Sequence, residues 1–210
     1  MHFWQEWLLV VSVFIVAVMA PGPDFVMAVR NSVLHGRKAG MMTALGFTAG
    51  VSIHITYCIL GLSAIIAQSL WLFTLLKYAG AGYLIYIGVK ALRSKGMHHV
   101  NLKNGERSAK TAASAFRDGF LTNLLNPKAI LFFFALFTQI VQPHQPIAHL
   151  LAYGLSCMAI MIVWFSSVAL FLTQARIRNV FLKISAALDK ACGALFILLG
   201  IRLALQKATS

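Results

Sequence analysis

The sequence predicts an all-α integral membrane protein of six transmembrane helices, arranged as two inverted three-helix repeats with the first and fourth helices broken. Three observations carry this prediction. Apolar residues make up 60% of the chain and charged residues only 11%, whereas a soluble domain has about 25% charged residues; mean hydropathy is +0.80. The apolar residues are gathered into runs near the roughly 20 residues that a helix needs to cross the hydrocarbon core, at 7–29, 43–67, 70–89, 119–141, 147–172 and 186–204. Lysine and arginine fall in alternate connections between those runs.

The first run is flanked by Trp4 and Trp7, which suit a membrane interface. Residues 1–5 carry no basic cluster and Ala20-Pro21 is a poor cleavage context, so the segment is expected to be a retained span rather than a removable leader. Pro21-Gly22-Pro23-Asp24 interrupts it. Two prolines remove backbone donors and the glycine loosens the chain, and exposed backbone at membrane depth is tolerated only beside protein or a polar cavity. Asp24 is costly there. It either caps the helix that resumes at Phe25 or handles a solute or a proton.

The second run holds Gly46-x-x-x-Gly50, which permits close helix contact or a homodimer seam. It also holds His54 with Ser52 and Thr56 nearby, a candidate proton relay near neutral pH or a packed neutral histidine. In the third run Trp71 is an interfacial anchor, Gly80, Gly82 and Gly88 suit packing, and Tyr83 and Tyr86 either line a path or pack. The basic connection 93–115 divides the chain into halves at 1–92 and 116–210.

The fourth run contains the second break, Asn123-x-x-Asn126-Pro127-Lys128. The two asparagines offer donors and acceptors one turn apart. Lys128 snorkels toward an interface or pairs with Asp24 or a substrate carboxylate. Pro143 and Pro146 mark the turn before the fifth run. Asp118, beside Arg117, and Asp189, beside Lys190, lie near the cytoplasmic ends of the fourth and sixth runs, as ion-pair, cap or gating candidates. Cys58, Cys157 and Cys192 sit in apolar runs at spacings that match no metal or redox motif and are expected to be small buried hydrophobes.

The formal net charge is +13. In a soluble chain that suggests nucleic acid, but placement decides here. Arg30, Arg37 and Lys38 follow the first run. Lys90, Arg93, Lys95, Lys103, Arg107, Lys110 and Arg117 lie around the third connection, and Arg176, Arg178, Lys183 and Lys190 between the fifth and sixth runs. The connections at 68–71 and 142–146 have none. By the positive-inside rule the basic loops are cytoplasmic and both termini lie outside, and no nucleic-acid partner is expected.

The halves look like diverged copies. A shift of 104 residues places Pro23 on Pro127, 108 places Gly46 on Gly154, and 112 places Ala79 on Ala191, Ile85 on Ile197, Gly88 on Gly200 and Lys90 on Arg202. Three spans per half is odd, so the second half is expected to be inverted. Interrupted spans at matching positions of two such halves point to a transporter site. Freed helix N-termini suit a carboxylate and Asp24 suits an ammonium, which together fit a zwitterion. There is no phosphate-binding glycine-rich motif, no metal-ligand cluster and no nucleophile constellation, so neither enzyme activity nor a cofactor is expected.

The chain resembles the LysE/RhtB superfamily of small amino-acid exporters over essentially its whole length. The resemblance rests on Ala20-Pro21-Gly22-Pro23-Asp24, on Gly36-Arg37-Lys38-Ala39-Gly40 followed by Gly46, and on residues 78–84 with Gly88. It continues through Phe116-x-x-Gly119-x-x-x-Asn123-x-x-Asn126-Pro127-Lys128 and Asp189-x-x-x-Gly193 with Gly200. It implies export of an amino acid, of threonine or homoserine type, from a bacterial cytoplasm across the inner membrane. Export would be coupled to proton entry, by alternating access around residues 21–24 and 123–128. An exporter of another small solute, such as a metal ion or modified metabolite, or a membrane-embedded enzyme or assembly factor, are the alternatives. A metal would want an acidic or histidine cluster, for which only Asp24 and His54 are candidates.

Overall fold

A computed structural model describes residues 3–96, 110–140 and 145–205. The described residues form seven helices and no strand: α1 (Phe3–Met19), α2 (Pro23–Gln68), α3 (Leu70–Leu92), α4 (Ala112–Leu124), α5 (Pro127–Thr138), α6 (Ile147–Phe171) and α7 (Ala175–Leu205). Four of them, α2, α3, α6 and α7, are long and apolar enough to cross a membrane. α4 and α5 meet the same criteria as a pair bent by 57°, which makes a fifth candidate span. α1 is apolar but has 17 residues, about 25 Å of helix.

The 46 residues of α2 would extend about 69 Å if straight, over twice the thickness of a hydrocarbon core. The helix is broken at Gly36, where φ is 85° and ψ 169°, a left-handed backbone that favours glycine. Residues 23–35 and 37–68 are therefore separate helical segments. α2 ends at Gln68, and Ser69 caps α3, its hydroxyl accepting from Leu72 N–H at 3.2 Å.

Four helix starts precede their hydropathy runs, α1 beginning at Phe3 instead of 7 and α4 at Ala112 instead of 119. The segment expected from residue 43 begins at 37, and the run expected from 186 begins with α7 at Ala175. Arg176, Arg178 and Lys183 are thus on a helix and not in a connection. Hydropathy marks only the stretch that lipid covers, whereas lysine and arginine are themselves good helix formers. Of the basic connection, residues 97–109, with Lys103 and Arg107, lie outside the described residues, as does Pro143. Its last residues already belong to the next helix, since Thr111 caps α4.

Glycine sets the closest helix contacts. A Cβ on Gly46 would run into the Phe116 carbonyl and the Phe120 N–H of α4, and one on Gly119 into the Thr43 carbonyl. Gly50 faces Asn123, whose Oδ1 would lie 2.7 Å from an added Cβ. Gly46 and Gly50 therefore close an internal α2–α4 seam, not the homodimer seam that their spacing also allowed. α3 packs on α7 in the same manner through Gly88, Gly193 and Gly200.

Phenylalanines fill the space between these seams. Phe14 lies 5.4 Å from Phe133, Phe132 lies 5.7 Å from Phe196, and Phe47 lies 4.7 Å from Phe165, between ring centroids. Cys58, Cys157 and Cys192 are free and buried, and Cys192 donates to the Val16 carbonyl at 2.9 Å.

Candidate functional site

The two breaks are built alike. α2 resumes at Pro23 and α5 at Pro127, each proline taking the first helical position, where its missing N–H leaves nothing unsatisfied. Val26 N–H closes the first turn of α2 on the Gly22 carbonyl, and Ile130 N–H closes that of α5 on the Asn126 carbonyl, both at 3.0 Å. These bonds coincide under the 104-residue shift. The residue after each proline is Asp24 in one break and Lys128 in the other.

The breaks also reach across to one another. Asp24 Oδ2 accepts from Asn123 Nδ2 at 2.7 Å and Oδ1 from Asn126 Nδ2 at 3.1 Å. The Lys128 ammonium lies beside Gly22, 3.8 Å from where a Cβ there would be. Asn126 does two tasks, since its Oδ1 also accepts from Lys128 N–H at 3.0 Å and caps α5. Among the described residues no carboxylate comes within 4 Å of Lys128, so of the alternatives for Lys128 the direct ion pair with Asp24 is not made. Nor does Asp24 cap a helix starting at Phe25. Pro23 starts the helix, which puts Asp24 inside its first turn, and the carboxylate turns across to the two amides.

Asp24, Asn123, Asn126 and Lys128 line one wall of a cavity of about 60 Å³, room for a few water molecules. An amino acid therefore enters only when the helices part. The arrangement offers a carboxylate to a cation, and an ammonium with a helix N-terminus to an anion. In α5, Pro127 has no N–H and Lys128 N–H is capped, which leaves Ala129, another lining residue, with an N–H beyond reach of an intrahelical carbonyl.

His54 is one layer behind this wall. Its Nε2 is 3.1 Å from the Asn123 carbonyl and its Nδ1 3.0 Å from the Tyr57 hydroxyl. A carbonyl only accepts, so Nε2 carries hydrogen and Nδ1 of a neutral ring takes the Tyr57 proton. Ser52 and Thr56 do not join it; each donates to a carbonyl of its own helix. Tyr83 donates to the Pro127 carbonyl at 3.4 Å, whereas Tyr86 is exposed.

Asp118 and Asp189 are not among the residues that line the cavity. Asp118 pairs with Lys110, not with Arg117, because successive residues of a helix point apart; Lys110 also donates to Asn31 at 3.3 Å. Asp189 accepts from Ser94 at 2.5 Å, tying α7 to the end of α3. Sequence reasoning missed Glu6 and Lys77, both buried. Glu6 accepts from Gln145 at 2.8 Å and Tyr153 at 2.9 Å, joining the start of α1 to α6. With five acidic residues in the chain, rarity alone could have drawn attention to Glu6. Among the described residues no three histidine, cysteine, aspartate or glutamate side chains gather as a metal site would need.

Comparison with known proteins identifies the family. The model of the LysE type translocator family matches residues 15–207. The threonine efflux protein of Escherichia coli (strain K12) is 33% identical over 203 residues, covering 95% of this chain and 98% of that protein. The homoserine/homoserine lactone efflux protein of Salmonella typhimurium is 30% identical over 204 residues, 97% of this chain and 96% of that one. No solved structure matches. From residue 15 to residue 207 the sequence follows one family throughout, and the chain belongs to the LysE family of translocators.

Proposed function

We propose that the chain is a secondary exporter of amino acids, working by alternating access in a bacterial inner membrane with both termini in the periplasm. Six spans make up two inverted repeats, 1–92 and 116–210, joined by the basic connection 93–115. α1 with residues 23–35 forms the first span and α4 with α5 the fourth, each bent at its proline. The observation that carries the proposal is the crossed pair of breaks, with Asp24 held by Asn123 and Asn126 while Lys128 reaches Gly22. Opposite charges on two opposed helix starts suit the ammonium and carboxylate of one zwitterion. The relatives named for threonine and homoserine efflux support a small amino acid, and they make those two the first solutes to assay.

Export is driven by proton antiport in this proposal, with Asp24, which lines the cavity, and His54, bonded to the Asn123 carbonyl behind it, as the proton-carrying groups. Polar ties at either end of the bundle, Glu6 with Tyr153 and Asp118 with Lys110, serve as closures around a central site. The function is tested in vesicles loaded with amino acids, comparing net efflux with and without an imposed pH gradient. Efflux that requires the protein and rises with the gradient is expected. No protein-dependent flux of any amino acid would refute export, and flux indifferent to the gradient would refute antiport.

A further inference from the structure

Beyond its polar residues the cavity is lined by apolar side chains. Among them are Phe14 of α1, Phe132 and Phe133 of α5, Met161 and Phe165 of α6, and Phe196 of α7. All six are nearly inaccessible from outside the protein. Their side chains contain no oxygen or nitrogen, so none offers a strong hydrogen bond. The side-chain amides of the lining are turned to one another: the Nδ2 groups of Asn123 and Asn126 both donate to Asp24, and Asn126 Oδ1 takes Lys128 N–H. Asn123 Oδ1 is buried against Gly50 and has no partner among the described residues.

We infer that the substrate's side chain is apolar, a branched aliphatic or thioether group seated among these phenylalanines and Met161, and not a hydroxylated one. The inference rests on the export reading above and departs from the threonine expectation within it. Once the ammonium is on Asp24 and the carboxylate on Lys128 and the α5 N-terminus, the side-chain acceptor left without a partner is Asn123 Oδ1, and it is buried against Gly50 and turned from a substrate hydroxyl. A hydroxyl moved from water to such a surface loses its hydrogen bonds without replacement, whereas an aliphatic group gains by leaving water. Aromatic rings and a flexible thioether adapt to several apolar shapes, so the apolar lining selects by polarity more than by size.

Valine and threonine test this directly, because they are nearly isosteric and differ by a methyl for a hydroxyl. Purified protein in vesicles is assayed for efflux of each at a series of internal concentrations, with leucine, methionine and homoserine alongside. The expected result is a transport efficiency for valine about 10- to 100-fold above that for threonine, the range an apolar pocket achieves against an added hydroxyl. Equal efficiencies, or a preference for threonine or homoserine, overturn the inference and leave export standing. Absence of flux for every amino acid overturns both. A variant, Met161→Gln, places an amide in the apolar lining at nearly constant size. It is expected to bring the valine-to-threonine ratio several-fold closer to one at matched protein level. An unchanged ratio in protein that still transports valine means that the side chain does not meet this lining.

Discussion

Gly88 of α3 and Gly200 of α7 are packed as images of one another. A Cβ added to Gly88 would lie 2.7 Å from the Gly193 carbonyl oxygen and 2.7 Å from Ile197 Cγ1; one added to Gly200 would lie 2.8 Å from the Ala81 carbonyl oxygen and 2.8 Å from Ile85 Cγ1. The 112-residue shift carries Ala81 to Gly193, Ile85 to Ile197 and Gly88 to Gly200. Each member of the pair therefore meets the equivalents of what the other meets, as across a two-fold axis. An antiparallel pair with this reciprocity is what an inverted repeat places at its centre.

Gly88→Ala and Gly200→Ala are accordingly expected to destabilise the protein by similar amounts, about 1–3 kcal/mol each, because in both the new methyl meets a backbone carbonyl that cannot swing aside. Gly82→Ala, on the same helix as Gly88, has nothing within 4 Å of its added Cβ and is expected to be neutral or slightly stabilising. Thermal unfolding in detergent measures all three. A Gly200→Ala protein as stable as Gly82→Ala would remove the equivalence.

Reporter fusions test the inverted arrangement on the scale of the whole chain. Fusions after Ser69 and Gln145 are expected to report the periplasm, and one after Gly105, beyond the described residues, the cytoplasm. A cytoplasmic signal after Gln145 would put both halves in the same orientation and end the repeat reading.

The breaks were legible in the sequence because proline acts locally: it cannot donate and it fixes φ wherever it stands. The glycine seams were legible as close contacts, but whether they lay within the chain or between two chains was not, since spacing alone does not name the facing helix. The helix start at the first break was misplaced by two positions, Phe25 for Pro23. Proline is favoured at the first helical residue, so the helix starts at Pro23 and the carboxylate is left to reach Asn123 and Asn126. Lys77 was lost inside the apolar run 70–89, where one charge hardly alters a window average, and Glu6, just before the run 7–29, read as an ordinary flanking charge. The tie between His54 and the Asn123 carbonyl joins residues 69 apart, and nothing local announces it.

Asn126 both caps α5 and orients Asp24, and substitution can separate these tasks. Asn126→Ala removes both and is expected to cost about 0.5–2 kcal/mol of stability from the cap, with impaired transport. Asn126→Ser restores a good cap, but its short side chain does not reach Asp24. Its stability is expected to return toward wild type while the apparent affinity for substrate stays weakened. Efflux at a series of substrate concentrations, paired with thermal unfolding, gives both quantities. Full recovery of transport in Asn126→Ser would show that the bond to Asp24 has no functional weight.

Asp24→Asn asks whether the carboxylate is needed for its charge or for its hydrogen bonds. In the native site both oxygens accept, one from each asparagine. An amide at position 24 keeps one acceptor and presents a donor where the second was, so one of the two contacts would set donor against donor. The site can absorb this. Asn123 Oδ1 is buried without a partner among the described residues, and a half-turn of that side-chain amide brings it round to accept from the introduced amide. Folding is therefore expected to survive, with accumulation in the membrane near the wild-type level. Net efflux is expected to collapse, because the substrate ammonium loses its counter-charge and the site loses its titratable group. Exchange of labelled for unlabelled amino acid in the absence of a pH gradient then separates the two losses. A group needed only for proton coupling leaves exchange intact when neutralised, whereas a group that binds substrate impairs exchange as well. The crossed hydrogen bonds aim Asp24 at the cavity, so exchange is expected to fall together with net efflux. Wild-type net efflux at matched protein level would reduce Asp24 to a structural anchor for the two asparagines.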